Sequence, residues 1–288
     1  MDGFLIVDKP RGITSRAVVD WAIGWFGKGT RIGHAGTLDP LATGVLVLGV
    51  GRATRLIDLV QAMTKTYETE FTLGATSATD DSEGPIAPVP DAAPPSRDVI
   101  ERRLAGMVGE IEQAPPAYSA VKSAGRRAYA AARRGDAVAP APRSVRIHRI
   151  EILDYCFPQL ALRIDCGKGT YVRSIARDLG RSLGCGGYVS QLRRTRIGPF
   201  AVEGAIPVTA GPDAAIAALL PMRAAAADLP SVTLPATELQ RLCSGQTVAH
   251  SGHVDSGLIA VLDGAGGLAA LARAAPGVLA PERVIVPS

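Results

Sequence analysis

The chain has 288 residues, 47% of them apolar, which is enough for a sizeable core and excludes global disorder. Its net charge of +4 leans only mildly towards nucleic acid, and no run of about twenty apolar residues offers a membrane span. The opening residues carry no basic leader. The four cysteines, Cys156, Cys166, Cys185 and Cys243, show neither CxxC spacing nor a disulfide-dense pattern, so a cytoplasmic protein without membrane association is expected. His250 and His253 lack cysteine companions and read as loop histidines, so no metal is expected. Apart from Lys9, Lys28, Lys65, Lys122 and Lys168 every basic residue is arginine. Arginine suits phosphate forks and base stacking, although a GC-rich genome produces the same bias.

In chain order, the apolar residues 4–7 predict a strand ended by Asp8-Lys9-Pro10-Arg11-Gly12. Thr14 or Ser15 can cap a helix in which Val18, Trp21, Ala22, Trp25 and Phe26 recur at helical spacing, with both tryptophans expected in the core. After Gly27-Lys28-Gly29 comes Gly33-His34-Ala35-Gly36-Thr37-Leu38-Asp39-Pro40-Leu41-Ala42-Thr43-Gly44. It holds one carboxylate, Asp39, which Pro40 pushes out of the helical region. The run 45–48 then reads as a buried strand. Asp39 is either an ordinary turn residue or a reactive group aimed by a stiff loop.

Residues 66–73 alternate, with Tyr67, Thr69, Phe71 and Leu73 on one face of a half-buried strand. Residues 84–96 are a proline-rich connector, and Ser96 can cap a helix reaching about residue 108. Beyond the Pro115-Pro116 break and Gly125, a short basic helix is expected to carry Arg126, Arg127, Tyr129, Arg133 and Arg134. With Tyr118 and Lys122 beside it, this reads as a grip for single-stranded RNA or as a solvated charged face.

Strands are expected at 145–152 and 160–166. Thr170 can then cap a helix with the stripe Val172, Ile175, Ala176, Leu179 and Leu183, placing Tyr171 and Arg173 in a first turn that attracts anions. Gly167-Lys168-Gly169-Thr170 lacks Walker spacing and is not read as a nucleotide loop. Residues 192–200 are basic and end in a turn, and an alanine-rich stretch covers 210–227. The texture then changes: a short helix at 237–242, a strand at 258–262, a turn, a return strand at 268–271 and a last strand at 284–286.

The Gly33 to Gly44 string resembles the active-site motif of the TruB family of tRNA pseudouridine synthases, Gly-His-x-Gly-x-Leu-Asp-Pro-x-Ala-x-Gly. Further matches are Lys65-Thr66-Tyr67, the Pro-Pro-x-Tyr-Ser-Ala-x-Lys-x-x-Gly stretch from Pro115, and Gly169-Thr170-Tyr171-Val172-Arg173. The ordered blocks span about residues 4–205. One departure stands at Ala78, where the family usually has an aspartate, while Asp81 keeps the next acidic position.

The resemblance implies an α+β fold. A mixed, largely antiparallel central sheet flanked by helices would form a catalytic domain at 1–225 with an RNA-gripping insertion at about 110–145. A small PUA-like RNA-binding β domain would follow at 226–288. It implies isomerisation of uridine 55 in the T loop of tRNA, by base flipping, with Asp39 as nucleophile, Arg173 as its ion-pair partner and Tyr67 stacking on the base and joining proton transfer. His34 would fill the space of the extruded nucleotide, Tyr171 would form wall and Leu192 would pack at the pocket. Lys9, Lys122, Arg126 and Arg127 would complete the substrate contacts. No cofactor is implied, and the partner is the tRNA T-arm, bound by a monomer without guide RNA. Two rival readings are an RNA-binding or tRNA-folding protein whose catalysis is lost, and a guide-dependent relative of the box H/ACA type.

Overall fold

A computed structural model describes residues 1–118, 141–250 and 256–285, together with the backbone of two short strands between them. The apolar N-terminal run becomes β1 (Gly3–Lys9), and α1 (Ser15–Phe26) follows. Thr14 caps α1, its Oγ1 accepting from Ala17 N at 3.1 Å. The other capping candidate does something else: Ser15 Oγ accepts from Leu38 N at 2.8 Å and donates to Leu38 O, pinning the start of α1 to the loop before Asp39. Trp25 packs on the core beneath α1, but Trp21 is 44% exposed, so only one of the two tryptophans is a core residue.

β2 (Ile32–His34) and β3 (Thr43–Val50) flank the Asp39 loop. After α2 (Ile57–Ala62), β4 (Lys65–Leu73) alternates as expected, with Lys65, Tyr67, Thr69, Phe71 and Leu73 all buried. The connector contributes β6 (Ile86–Pro88) to a small ladder with β5 (Ala75–Ser77), and α3 (Arg97–Ala105) ends before the expected residue 108. Ser96 sits at the N-cap of α3 without a side-chain capping bond. β7 (Gly109–Gln113) precedes two minimal strands, β8 (Lys122–Ser123) and β9 (Arg126–Arg127), which pair antiparallel. That pairing corrects the expected helix at residues 126 and 127. Tyr129, Arg133 and Arg134 lie outside the described residues.

β10 (Arg143–Cys156) and β11 (Gln159–Cys166) form a long bulged hairpin leading to α4 (Val172–Leu183). The segment expected to be merely basic belongs to β12 (Gly187–Ile197), whose three arginines mask a strand in the middle of the sheet. β13 (Phe200–Ala201) and β14 (Ile206–Pro207) close this part, and α5 (Pro212–Ala217) lies within the alanine-rich stretch. The large sheet runs β14-β1-β3-β12-β4-β11-β10-β7, with β2 on β3 and β13 on β12. Only β1–β14 and β3–β12 pair in parallel, so the sheet is mixed and largely antiparallel.

The C-terminal part comprises β15 (Ser231–Thr233), α6 (Ala236–Cys243), β16 (Val248–Ala249), β17 (Gly257–Leu262), β18 (Leu268–Ala275) and β19 (Val278–Val284). They make a second sheet in the order β15-β17-β18-β19-β16, consistent with a PUA-like domain. The last strand starts at Val278, six residues earlier than expected, because it pairs along most of β18.

Apolar side chains of α3 and α4 fill one face of β4, β11 and β12, while α1 and α5 cover β1 and β3. A third cluster is shared: Phe4, Val47, Leu56 and Ala225 pack with Ala260, Leu268 and Leu271 of the second sheet and with Ile285 just after it. Among the described residues no helix is long and apolar enough to cross a membrane.

Candidate active site

The Asp39 loop is clamped from three directions. Gly12 N donates to Pro40 O at 2.8 Å, Ala42 N returns to Asp39 O at 3.0 Å, and Ser15 holds Leu38. Lys9 supplies another clamp. It is fully buried, and its ammonium donates to the carbonyls of Pro10, Ile13 and Pro40. This corrects its expected substrate contact: an amine enclosed by carbonyl oxygens has no donor left for a phosphate. Burial also pulls the Lys9 pKa down to about 8.

At Gly44 the chain turns into β3 with φ of +96°, and a Cβ there would collide with the backbone carbonyl of Arg194. Glycine is therefore required where β3 meets β12 beside the loop.

Asp39 faces a cavity of about 290 Å³ whose walls include Tyr67, Tyr171, Arg173, Leu192 and Arg194. Arg173, 4% exposed in the first turn of α4, reaches Asp39 Oδ2 through Nη2 at 2.9 Å. Its Nη1 lies 3.2 Å from Asp81 Oδ2 and donates to Thr79 O at 3.0 Å. Its Nη2 also donates to Tyr118 O at 3.2 Å. One buried guanidinium thus holds two carboxylates, of which Asp39 is the one lining the cavity.

Burial raises the pKa of Asp39; the Arg173 charge pulls it back down, and Asp81 adds to the rise. Asp81 is itself locked, accepting from Thr79 Oγ1 at 2.5 Å and Glu83 N at 3.0 Å.

Tyr67 sits opposite on β4, its phenol driven up in pKa by burial, with the charge of Arg194 opposing this. Leu192 and Arg194 project from β12 into the same cavity. Tyr171 is placed by Gln113, whose Oε1 accepts from Tyr171 N at 2.8 Å while Nε2 donates to Tyr171 O at 3.1 Å. This replaces the expected Thr170 cap; Thr170 Oγ1 donates to Gly167 O at 3.2 Å. The Arg143 guanidinium lies 5.0 Å from the Tyr171 ring centroid.

His34 lies just upstream of the cavity wall residue Ala35, with a buried Nδ1 that lacks a partner among the described residues. Burial, then the charges of Arg194 and Arg16, lower its pKa and favour the neutral ring.

The structure thus brings Asp39, Tyr67, Tyr171, Arg173 and Leu192 into one cavity. The side chains of Lys122, Arg126 and Arg127 lie outside the described residues. Sequence reasoning missed Gln113 and Arg194 and gave Asp81 no role. Period-two alternation with Leu192 would have flagged Arg194. Gln113 carries no local signal. Among the described residues no cluster of His, Cys, Asp and Glu is arranged to hold a metal.

Three family models cover most of the chain. Residues 25–172 match the TruB family pseudouridylate synthase N-terminal domain. Residues 173–214 match the tRNA pseudouridylate synthase B C-terminal domain, and residues 230–285 the pseudouridine synthase II TruB C-terminal model. A tRNA pseudouridine synthase B of Aromatoleum aromaticum is 43% identical over 254 residues, 86% of this chain and 82% of that one. That of Thermobifida fusca is 41% identical, covering 100% and 99%. Among solved structures, a chain of a Cbf5-Nop10-Gar1 complex matches with TM-score 0.76 at 26% identity, over 99% of this chain and 85% of that one. A chain of an H/ACA RNP bound to a substrate RNA containing 2′-deoxyuridine matches with the same TM-score at 25% identity, over 99% and 85%. A cavity built around an arginine-held aspartate, in a chain matched along nearly its whole length, leads to one assignment: the chain belongs to the TruB family of pseudouridylate synthases.

Proposed function

We propose that this enzyme isomerises uridine 55 in the T loop of tRNA to pseudouridine, with Asp39 as nucleophile. The observation that carries the reading is the Asp39 carboxylate, poised at an open cavity and held at 2.9 Å by an almost fully buried Arg173. The reaction breaks C1′–N1, turns the detached uracil, joins C1′ to C5 and removes the C5 proton. It needs an ionised carboxylate near the sugar, a base for that proton and walls that retain the ring.

The target nucleotide must leave its stack, at a cost of roughly a few kcal/mol. Tyr67 offsets part of this by stacking on the base and takes part in proton transfer. Tyr171 and Leu192 bound the ring, and His34 occupies the space left by the extruded nucleotide. Residues 1–225 act as the catalytic domain, with an RNA-gripping insertion at about 110–145 bearing Lys122, Arg126 and Arg127. Residues 226–288 act as an RNA-binding domain. The chain works as a cytoplasmic monomer on the T-arm, without a guide RNA.

The test is to incubate the purified chain with an unmodified tRNA transcript and map pseudouridine by carbodiimide labelling and primer extension. A single new stop at T-loop position 55 is the expected result. The likeness to chains of H/ACA particles supports a second reading, in which the chain needs a guide and protein partners. Activity of the chain alone on an isolated T-arm hairpin excludes that reading; an inert chain that still binds tRNA revives it.

A further inference from the structure

Arg194 is 2% exposed, yet among the described residues no carboxylate forms an ion pair with it. Two other arginines close by differ in this respect: Arg173, on the same cavity, holds two carboxylates, and Arg193, next to Arg194 in sequence, holds Asp8 at 2.8 Å. A buried charge without a counter-charge is costly to keep. Its guanidinium is nevertheless fixed. Nε donates to Val45 O at 2.8 Å and Nη2 to Gly36 O at 3.1 Å, bridging β3 and the glycine end of the Asp39 loop. In the antiparallel ladder of β12 and β4, Arg194 is the direct partner of Tyr67. Directly paired residues on neighbouring strands project to the same face, and both side chains line the cavity.

We propose that Arg194 is the positioning residue of Tyr67, a permanent buried cation that donates a hydrogen bond to the phenol oxygen and holds it ready to accept the C5 proton. This rests on the reading of Tyr67 as a participant in proton transfer. After C1′–C5 has formed, C5 is tetrahedral and C6 is doubly bonded to N1, and the Tyr67 phenolate takes the proton from C5. The C–H electron pair re-forms C5=C6 as the C6=N1 π pair moves onto N1, N1 gains a proton from solvent, and Tyr67 releases its own proton to solvent before the next turnover. Arg194 keeps its charge throughout.

The other groups around the phenol make such a cation necessary. Asp39 on its loop and Cys166 on β11 both oppose a phenolate, as does burial itself. Lys65, at the start of the same strand, gives less help: its amine is turned onto the carbonyls of Gln61 and Met63, and burial brings its pKa down to about 8. Arg173 is engaged by its own carboxylates. Arg194 is the largest influence favouring the ionised phenol.

The test compares single-turnover rates of wild type, Arg194→Met, Arg194→Lys and Tyr67→Phe on tRNA transcript across about pH 6 to 10. Arg194→Met is expected to lose about 100-fold in rate, with unchanged tRNA affinity and the rising limb that reports ionisation of the Tyr67 phenol displaced to higher pH. Arg194→Lys, which keeps the charge, should restore at least about ten-fold of that loss. Should the Met variant not fold, Arg194→Gln replaces it as a neutral residue that still donates to carbonyls, and the same loss is expected. Equal losses in the charged and neutral variants, with unshifted pH profiles, would overturn the proposal and leave Arg194 a packing residue. A fully active neutral variant beside an inactive Tyr67→Phe also overturns it, leaving the Tyr67 reading intact. A fully active Tyr67→Phe sinks the Tyr67 reading, and this inference with it.

Discussion

Asp39 and Asp81 share Arg173 but are not equivalent. Asp81 is 2% exposed and tied to Thr79 and Glu83, whereas Asp39 opens onto the cavity. Because burial raises the Asp39 pKa, the folded chain binds that proton more tightly than the unfolded chain does. Its ionisation therefore subtracts from stability as pH rises through the folded value, and the reactive carboxylate is lost on acidification before an ordinary aspartate would be. Asp39→Asn removes the disfavoured charge while Arg173 keeps Asp81. The variant is expected to unfold at or above the wild-type temperature at neutral pH, to bind tRNA, and to lose at least about 10³-fold in turnover. Calorimetry and single-turnover assays check it; normal turnover would remove Asp39 from the chemistry. In the wild type, the acid limb of kcat/KM should lie above the usual carboxylate range. Arg173→Met, which deletes the opposing charge, should move that limb higher still. A limb unmoved by the substitution would mean that some other group titrates there.

At the scale of elements, the sequence is most readable where local chemistry restricts the backbone. The Asp39 loop is such a place: Pro40 excludes helix, and the apolar run behind it forms β3. The alternation of β4 is equally legible, because one face is buried from Lys65 to Leu73. β12 is not, since Arg193, Arg194 and Arg196 read as surface charge until the sheet encloses the second of them. Gln113 and Asp81 acquire their roles only from contacts with Tyr171, just before α4, and with Arg173 in its first turn, many residues away along the chain. No local pattern encodes such a meeting.

The junction of β3 and β12 gives a direct check on this account. Gly44→Ala combines a positive φ with a collision against the Arg194 backbone, and should destabilise by about 2–4 kcal/mol in denaturant titration. A loss under about 0.5 kcal/mol would show that the strands can separate there. For the basic segment after Gly125 the prediction is electrostatic. Neutralising Arg126, Arg127, Arg133 and Arg134 together should weaken tRNA binding and flatten its dependence on salt. An unchanged salt slope would leave those residues as solvated charge.

For the molecule as a whole, the open question is what couples the second sheet to the first. Among the described residues two kinds of contact stand out. One is polar: Arg283 donates to the Arg55 carbonyl and forks onto Asp58 at 2.6 Å and 2.9 Å, with the Asp58 side chain 56% exposed. The other is the apolar seam in which Leu268, Leu271 and Ile285 meet Phe4, Val47 and Leu56. An exposed fork contributes about 0–1 kcal/mol, because solvent screens it and two long side chains must be ordered. Leu271 is 1% exposed, and truncating a buried leucine to alanine costs about 2–5 kcal/mol through lost transfer energy and the cavity left behind. The seam should therefore dominate. Arg283→Ala is expected to leave thermal unfolding as one cooperative transition, shifted by no more than that small contribution. Leu271→Ala should lower the unfolding temperature of the whole chain, including signals from the large sheet, because the seam is part of the core beneath β1 and β3. If Leu271→Ala instead produces an early transition confined to the second sheet, the two sheets are separate folding units that merely touch, and the fork becomes the better candidate for what aligns them.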